Sequence, residues 1–299
     1  MLISIASSKS PQWLWFEGLV ENRRMKLYQH VWSAAFALLG SSSVVAQNGG
    51  QLPLWEIGAF AMGVSQQAYP GAGQQLDRAL LLPYAVYRGE VFRMDRSGVG
   101  VRKVLSPDVE LDLGFAGAFG SRSNEIDARS GMPELGTLVE FGPRIQWSLG
   151  DGPGNGRLRA DFALRGVFDV TDRFSDKGVA FEPKLVFERN SNTGWRYSAS
   201  AGLMFGDRRL ADTLYGVAPA YATTNRNAYV AESGLVASRV SLFVSRALTP
   251  SLRLSAFSRV DSVAGAANQS SPLVQKNTGA TTGLVLTYTL AQSQTMVRE

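Results

Sequence analysis

Asp108, Glu110 and Asp112, in "DVELDLGF", bring three carboxylates within five positions, and a pair of carboxylates is the machinery of glycoside hydrolysis. A spacing of two places all three on one face of an extended strand, where they meet water or arginines rather than flank a scissile bond. Most other hydrolytic chemistry needs a base that titrates near neutrality. The only histidine is His30, in a segment read below as a leader, and there is no cysteine. Ser/His, Asp/His and Cys/His catalysis and most transition-metal sites are thereby removed. The expectation is a non-enzymatic protein with no cofactor and no metal.

The charged residues instead follow a pattern. In "RLRADFALRGVFDV", residues 157–170, Arg157, Arg159, Asp161, Arg165 and Asp169 share one parity, and Leu158, Ala160, Phe162, Leu164, Phe168 and Val170 share the other. The same alternation sets Glu182, Lys184 and Glu188 against Phe181, Leu185 and Phe187, and Arg253, Arg259 and Asp261 against Leu252, Leu254 and Val260. Between 195 and 205 it sets Arg196, Ser198 and Ser200 against Trp195, Tyr197 and Leu203. Period two is the signature of strands with one polar and one apolar face.

Such strands suit a soluble sandwich or a transmembrane barrel. Three features favour the barrel: segments of about ten residues, the length a tilted strand needs to cross a bilayer; aromatic residues near strand ends, Trp55, Tyr87, Trp147, Trp195 and Tyr288; and a chain that closes on the strand "GLVLTYTL". The fold expected is all-β, an antiparallel transmembrane β-barrel. Twelve strands are read, at 54–66, 79–94, 98–106, 108–119, 135–149, 157–170, 178–189, 195–206, 228–237, 239–248, 251–261 and 280–290, with ten as the fallback if 79–106 or 228–248 is misread. The polar parity then faces the lumen. Arg157, Arg159, Arg165, Arg253 and Arg259 would meet Asp161, Asp169, Glu182 and Asp261 in cross-strand ion pairs that close it, whereas a selective pore more often segregates one sign.

The N-terminal residues 25–46 have the three-part layout of a cleaved signal peptide: basic Lys26 after Arg23 and Arg24, an apolar run from Val31 to Leu39, and small residues Val44 and Ala46 before Gln47. Residues 1–24 read as an over-extended start, 47–290 as the barrel and 291–299 as a tail. The whole chain carries 30 basic and 25 acidic residues, and removing 1–46 leaves a nearly neutral balance that gives no argument for nucleic acid. The mean hydropathy of −0.04 fits a barrel, half of whose strand residues face a polar interior.

Four stretches, "LLPYAVYRGEVF" (81–92), "EIDARSGMPELGTLVEFGPRIQWSL" (125–149), "LYGVAPAYA" (214–222) and "SSPLV" (270–274), together resemble the MltA-interacting protein, or OmpV-like, family of outer-membrane proteins. The resemblance runs in order along nearly the whole mature chain. It departs at the C-terminus, where Leu290 takes the place of the family's final aromatic residue and "AQSQTMVRE" follows. It implies a barrel in the bacterial outer membrane, in contact with its lipids, serving as a scaffold that joins a lytic transglycosylase to a murein synthase. The alternative within the family is a small porin-like channel or a surface adhesin. Counting strands from a periplasmic N-terminus puts the connections 120–134 and 207–227 on the periplasmic rim and 67–78 and 262–279 outside. Tyr215, Gly216, Val217 and Tyr221, with the two tyrosines as exposed anchors, then become the candidate partner-binding residues.

Overall fold

In a computed structural model of the chain the alternation becomes one large antiparallel sheet. The structure describes residues 51–298 apart from 89–91, 96–97, 102, 119 and 122; the expected leader and the stretch before it lie outside the described residues. The strands are β1 (Gln51–Pro53), β2 (Trp55–Gln67), β3 (Gln75–Arg88), β4 (Phe92–Asp95), β5 (Gly98–Val101), β6 (Lys103–Ser106), β7 (Val109–Ala118), β8 (Leu138–Gly152), β9 (Gly156–Asp169), β10 (Ser175–Asn190), β11 (Trp195–Gly206), β12 (Gly234–Ala247), β13 (Leu252–Ser262), β14 (Thr278–Gln292) and β15 (Met296–Arg298). One α-helix among the described residues, α1 (Arg208–Tyr215), follows β11.

The sheet runs β5-β4-β3-β2-β14-β13-β12-β11-β10-β9-β8-β7-β6. Chain neighbours pair with each other, and N-terminal β2 pairs with C-terminal β14 from Ser65↔Thr282 to Glu56↔Gln292. The two ends of the order, β5 and β6, are one residue apart in the chain, so the order runs round on itself as a barrel's does. Taken as one interrupted strand, they bring the sheet to twelve members.

Exposure follows parity. Leu81, Leu164 and Leu284 are 70%, 51% and 60% exposed, while their chain neighbours Leu82, Arg165 and Val285 are buried. A sandwich would bury the apolar parity; here it is the outer surface, as a lipid-facing wall requires. Trp55, Tyr87, Trp147, Tyr197 and Tyr288 all lie outward on the half of the barrel that carries β1 and β15. Their amphipathic rings suit a headgroup interface.

Two strand boundaries differ from the sequence reading. The expected strand 79–94 is two elements, because Tyr87 pairs with Met94 and Arg88 with Arg93, antiparallel. The expected pair 228–237 and 239–248 is the single strand β12, which continues through Ser238 and Arg239 while 228–233 belongs to the preceding loop. The first error inverts every connection after it and the second restores the count. The long loops 68–74, 119–137, 207–233 and 263–277 therefore share one end, opposite β1 and β15, and the assignment of 120–134 and 207–227 to the other rim is corrected. Among the described residues the connections at the opposite end are short turns, such as 153–155, 191–194 and 248–251.

The residues after 290 are not a loose tail. Beyond Glu56↔Gln292 the seam continues, as Ser293 N donates to Trp55 O (2.8 Å) and Leu54 N to Thr295 O (2.9 Å). It ends in a two-stranded ribbon of its own, Pro53↔Met296 to Gln51↔Arg298, so strand pairing continues beyond 290.

Candidate functional site

Inward-facing side chains fill the lumen in two layers. The layer nearer the long loops is apolar. Leu210, Leu214 and Tyr215 of α1 pack with Tyr69, Ile126, Val217 and Leu273 from the loops and with Val167, Ala180 and Val236 at the strand ends. Asp207 starts α1, its carboxylate accepting from Leu210 N (2.9 Å), as an N-cap does. Polar ties then lock the loops to each other. Tyr69 Oη donates to Leu273 O (2.8 Å), Tyr215 Oη to Pro70 O (2.9 Å), and Ser271 Oγ to Tyr215 O (2.8 Å). Arg226 donates to the carbonyls of Ala128 and Ser130 (3.0 Å each), and Arg129 to that of Leu214 (3.3 Å), so two buried arginines staple the second loop to the third. Burial pushes the Tyr69 hydroxyl up to about 12, against the pull of the Arg129 charge, and pushes Tyr215 up further. Burial lowers Arg129 from the usual guanidinium range.

This corrects the reading of Tyr215 and Tyr221 as exposed anchors. Tyr215 is 1% exposed and edge-on to Tyr69, Gly216 and Val217 are buried, and only Tyr221 of the four candidates reaches the surface, half-buried. An apolar tyrosine body beside other loops' apolar residues gains more from burial than from waiting for a partner.

Beneath the cap runs a chain of charges. Glu140 pairs with Arg165 (3.1 Å), Arg165 with Glu182, Glu182 with Arg239 (2.6 Å), Arg239 with Asp261 (2.6 Å) and Asp261 with Arg259 (3.0 Å). Signs alternate, and the chain spans β8, β9, β10, β12 and β13. Arg239 crosses β11 to reach Glu182, passing Met204 Sδ at 3.7 Å. β11 presents Gly202 opposite Arg239, where a Cβ would come within 2.5 Å of Lys184 Cβ. A second cluster lies nearer mid-strand: Arg159 bonds Asp161 (2.7 Å) and Glu188 (2.9 Å), and Arg144 bonds Asp112.

Of the residues expected to line the lumen, Arg159, Asp161, Arg165, Glu182, Arg259 and Asp261 are joined in these networks. Arg253 lies lower, donating to Ser245 Oγ (3.4 Å). Asp169 faces inward, yet its carboxylate caps the β9–β10 turn, accepting from Thr171 N (2.9 Å) and Thr171 Oγ1 (2.6 Å). Arg157 is exposed at the turn end of β9. Sequence reasoning missed Glu140, Arg144 and Arg239. Parity in "VEFGPRIQW" could have found the first two, since Phe141, Ile145 and Trp147 are the outward set. Arg239 was lost because a strand break was drawn beside it.

The opposite wall, on β2, β3 and β14, is apolar inside over its middle, where Phe60, Met62, Val64, Leu82 and Val285 are buried with Leu80, Tyr84 and Phe257 against them, and polar toward its ends, where the Glu56–Arg88 pair and Gln66 are buried. Gly283 leaves space for the Phe257 ring, whose nearest carbon lies 2.5 Å from where a Cβ would stand.

An antiparallel sheet with a lipid-facing apolar outside, an aromatic belt at one end, long loops at the other and a side-chain-filled inside defines a transmembrane β-barrel of the outer-membrane type. The sequence profile of the family described as MltA-interacting protein MipA matches residues 57–290, and the chain belongs to that family. A search of curated proteins finds no match. Among solved structures the chain is similar, at 11% identity and a TM-score of 0.34, to the NanC porin, over 79% of this chain and 100% of that one. It is similar at 10% identity and 0.36 to the COG4313 outer membrane channel from Pseudomonas putida F1 (83% and 100%). For Pseudomonas putida OprB the figures are 13% and 0.32 (71% and 49%).

Proposed function

We propose that this barrel acts by holding partners rather than by conducting solutes: it is a non-catalytic outer-membrane scaffold for murein-remodelling enzymes. The observation that carries the non-conducting part is burial at inward positions. Asp161, Glu182 and Asp261 are 0%, 6% and 4% exposed, whereas charges lining a water-filled channel stay wet. The family's description as MltA-interacting supports the partner class, a lytic transglycosylase, with a murein synthase as the second enzyme to be joined. Cleavage of a leader before Gln47 would leave the ribbon, and with it the short-turn end, in the periplasm, and the four long loops outside. The periplasmic partner then meets the ribbon and short turns, and Tyr215, Gly216, Val217 and Tyr221 act in the external cap.

Two measurements test this. Cysteine at Ala218, exposed on the third loop, should label with an impermeant thiol reagent in intact cells, and cysteine at Asn192, exposed on the β10–β11 turn, only after permeabilisation. The unmodified protein should show no steady conductance in a planar bilayer and should retain a lytic transglycosylase from solubilised envelope. A large stable conductance without enzyme recovery would replace the scaffold with the porin-like channel.

A further inference from the structure

The β9–β10 turn, at the long-loop end, holds two successive residues in the left-handed region, Arg173 (φ 50°) and Phe174 (φ 58°), neither of them glycine. A Cβ makes that conformation costly, and it persists only where surrounding bonds impose it. Asp172 does so here, accepting from Ser175 Oγ (2.8 Å) and Lys177 Nζ (3.3 Å) across the turn. Phe174 is thereby held out, 66% exposed, just beyond the apolar outer wall to which β10 contributes Val179 and Phe181 and β9 contributes Phe162 and Leu164. Positive charge collects beside it. Arg208 and Arg209 open α1, and Arg209 pairs with Asp176 at the start of β10. Each nearby acid is engaged: Asp172 by Lys177, Asp176 by Arg209, Asp207 by Leu210 N, while the Asp212 carboxylate lies against Gly216. The guanidinium groups of Arg173 and Arg208, both exposed, make no hydrogen bond or ion pair among the described residues.

Position and chemistry together select the ligand. The bilayer places its headgroups where a lipid-facing wall ends. Guanidinium binds phosphate through paired N–H···O bonds, and an aromatic ring at that level packs on the carbons next to the headgroup. A free phosphate would leave Phe174 in water, and an uncharged lipid would leave both guanidinium groups without a partner; a phosphate that carries acyl chains uses all three side chains. We propose that Arg173, Phe174 and Arg208 hold the phosphate headgroup of a membrane lipid at the rim of the barrel. The site goes beyond the scaffold reading and does not rest on it, since a phosphate lipid is recognised in the same way whichever leaflet the long loops face.

Native mass spectrometry of the full-length protein in a neutral detergent, titrated with dioleoyl phosphatidic acid, tests it. Dioleoylglycerol supplies the same chains without phosphate, and inorganic phosphate the anion without chains; heat-modifiable gel mobility confirms that each variant is folded. Saturable retention of one phosphatidic acid per barrel is expected, with no retention of the diacylglycerol and no displacement by phosphate at equal concentration. Arg173→Gln together with Arg208→Gln should weaken retention about tenfold. Arg246→Gln, exposed at the opposite end of the barrel, should leave it unchanged. Phe174→Gly relieves the left-handed backbone, so it should unfold in urea no earlier than the parent and yet retain the lipid less well. Equal retention of the diacylglycerol, displacement by inorganic phosphate, or undiminished retention by the folded double variant would overturn the proposal. Earlier unfolding of Phe174→Gly would overturn it as well, because the ring would then be packing on protein rather than standing free for lipid.

Discussion

The two walls of the lumen are filled by opposite means. From β8 to β13 the interior is a chain of alternating charges anchored on Arg165, Glu182, Arg239 and Asp261; on β2, β3 and β14 it is Phe60, Met62, Leu82 and Val285. Both walls turn an apolar face to the outside. In "WEIGAFAMGVSQQ" Ile57 points outward while Phe60, Met62 and Val64 point in, so β2 is apolar on both sides. A strand of that kind must bury one face against protein, as strands covered on both sides do. Parity therefore reports which residues face inward, and says nothing about whether the inside is wet, charged or dry.

The largest expected effect falls on the charged wall. Arg239→Ala leaves Glu182 and Asp261 each short of one guanidinium in a buried setting, and the expected loss is about 3–5 kcal/mol. Urea unfolding of the barrel in liposomes measures it. Replacing Arg239 and Arg259 by Met together with Glu182 and Asp261 by Leu and Val, which leaves Arg165 paired with Glu140, should recover much of the loss, because apolar replacement of a buried ion group is tolerated better than removal of one partner. No recovery would mean that the charges do more than fill space.

Phe60→Ala probes the other wall, with an expected loss of about 3–4 kcal/mol from transfer and cavity together. Met62→Leu, nearly volume-conserving, should cost less than about 1.5 kcal/mol. If Phe60→Ala were harmless, the apolar wall would be loosely packed and the comparison would fail on that side.

Leu164 and Arg165 compare outside with inside on neighbouring residues. Leu164→Arg should cost about 2–4 kcal/mol if the residue lies near the bilayer midplane, and little if it lies near the interface. Arg165→Leu, which alternation alone ranks as mild, should cost at least as much, since it takes the guanidinium from Glu140 and leaves Glu182 with Arg239 alone. Reading both from heat-modifiable mobility and urea midpoints separates lipid exposure from burial of charge.

These differences trace what the sequence makes legible. Alternation over 157–170, 179–189, 195–205 and 251–261 places the outward and inward sets, because lipid on one side enforces period two over whole strands. It does not mark where strands turn. Within 79–94 apolar and aromatic residues stand on both sides of Arg88, Gly89 and Glu90, so the segment reads as one strand, and at Ser238–Arg239 two polar residues in mid-strand look like a break. Since side-chain parity survives a miscounted strand and loop topology does not, the lumen network was largely readable and the rim assignments were not. Tyr215 shows a further limit. An aromatic in a loop looks the same in sequence whether it waits for a partner or closes its own cap, and only the positions of the other loops decide.

The loop cap differs from both walls in being fastened by hydrogen bonds to backbone carbonyls, two of them donated by tyrosine hydroxyls, so it should yield to alkali first. Tyr69 is held protonated up to about 12 by burial, while a tyrosine in an unfolded loop ionises near 10. A raised value of this kind contributes stability in full below about pH 10 and loses it progressively as pH rises to about 12, at roughly 1.4 kcal/mol per unit. Tyr215, raised further by burial, should give way later. Tyrosinate absorbance followed with near-ultraviolet circular dichroism should therefore show a late-ionising group near pH 12, ahead of Tyr215, whose titration accompanies loss of the cap's aromatic signal, with strand content unchanged. Tyr69→Phe should remove that step and, through the lost bond to Leu273 O, weaken the cap at neutral pH by about 1 kcal/mol. Should Tyr69 instead ionise near 10 with the barrel intact, water reaches the centre of the cap, and the distinction between a dry cap and an ion-paired lumen collapses into a single hydrated interior.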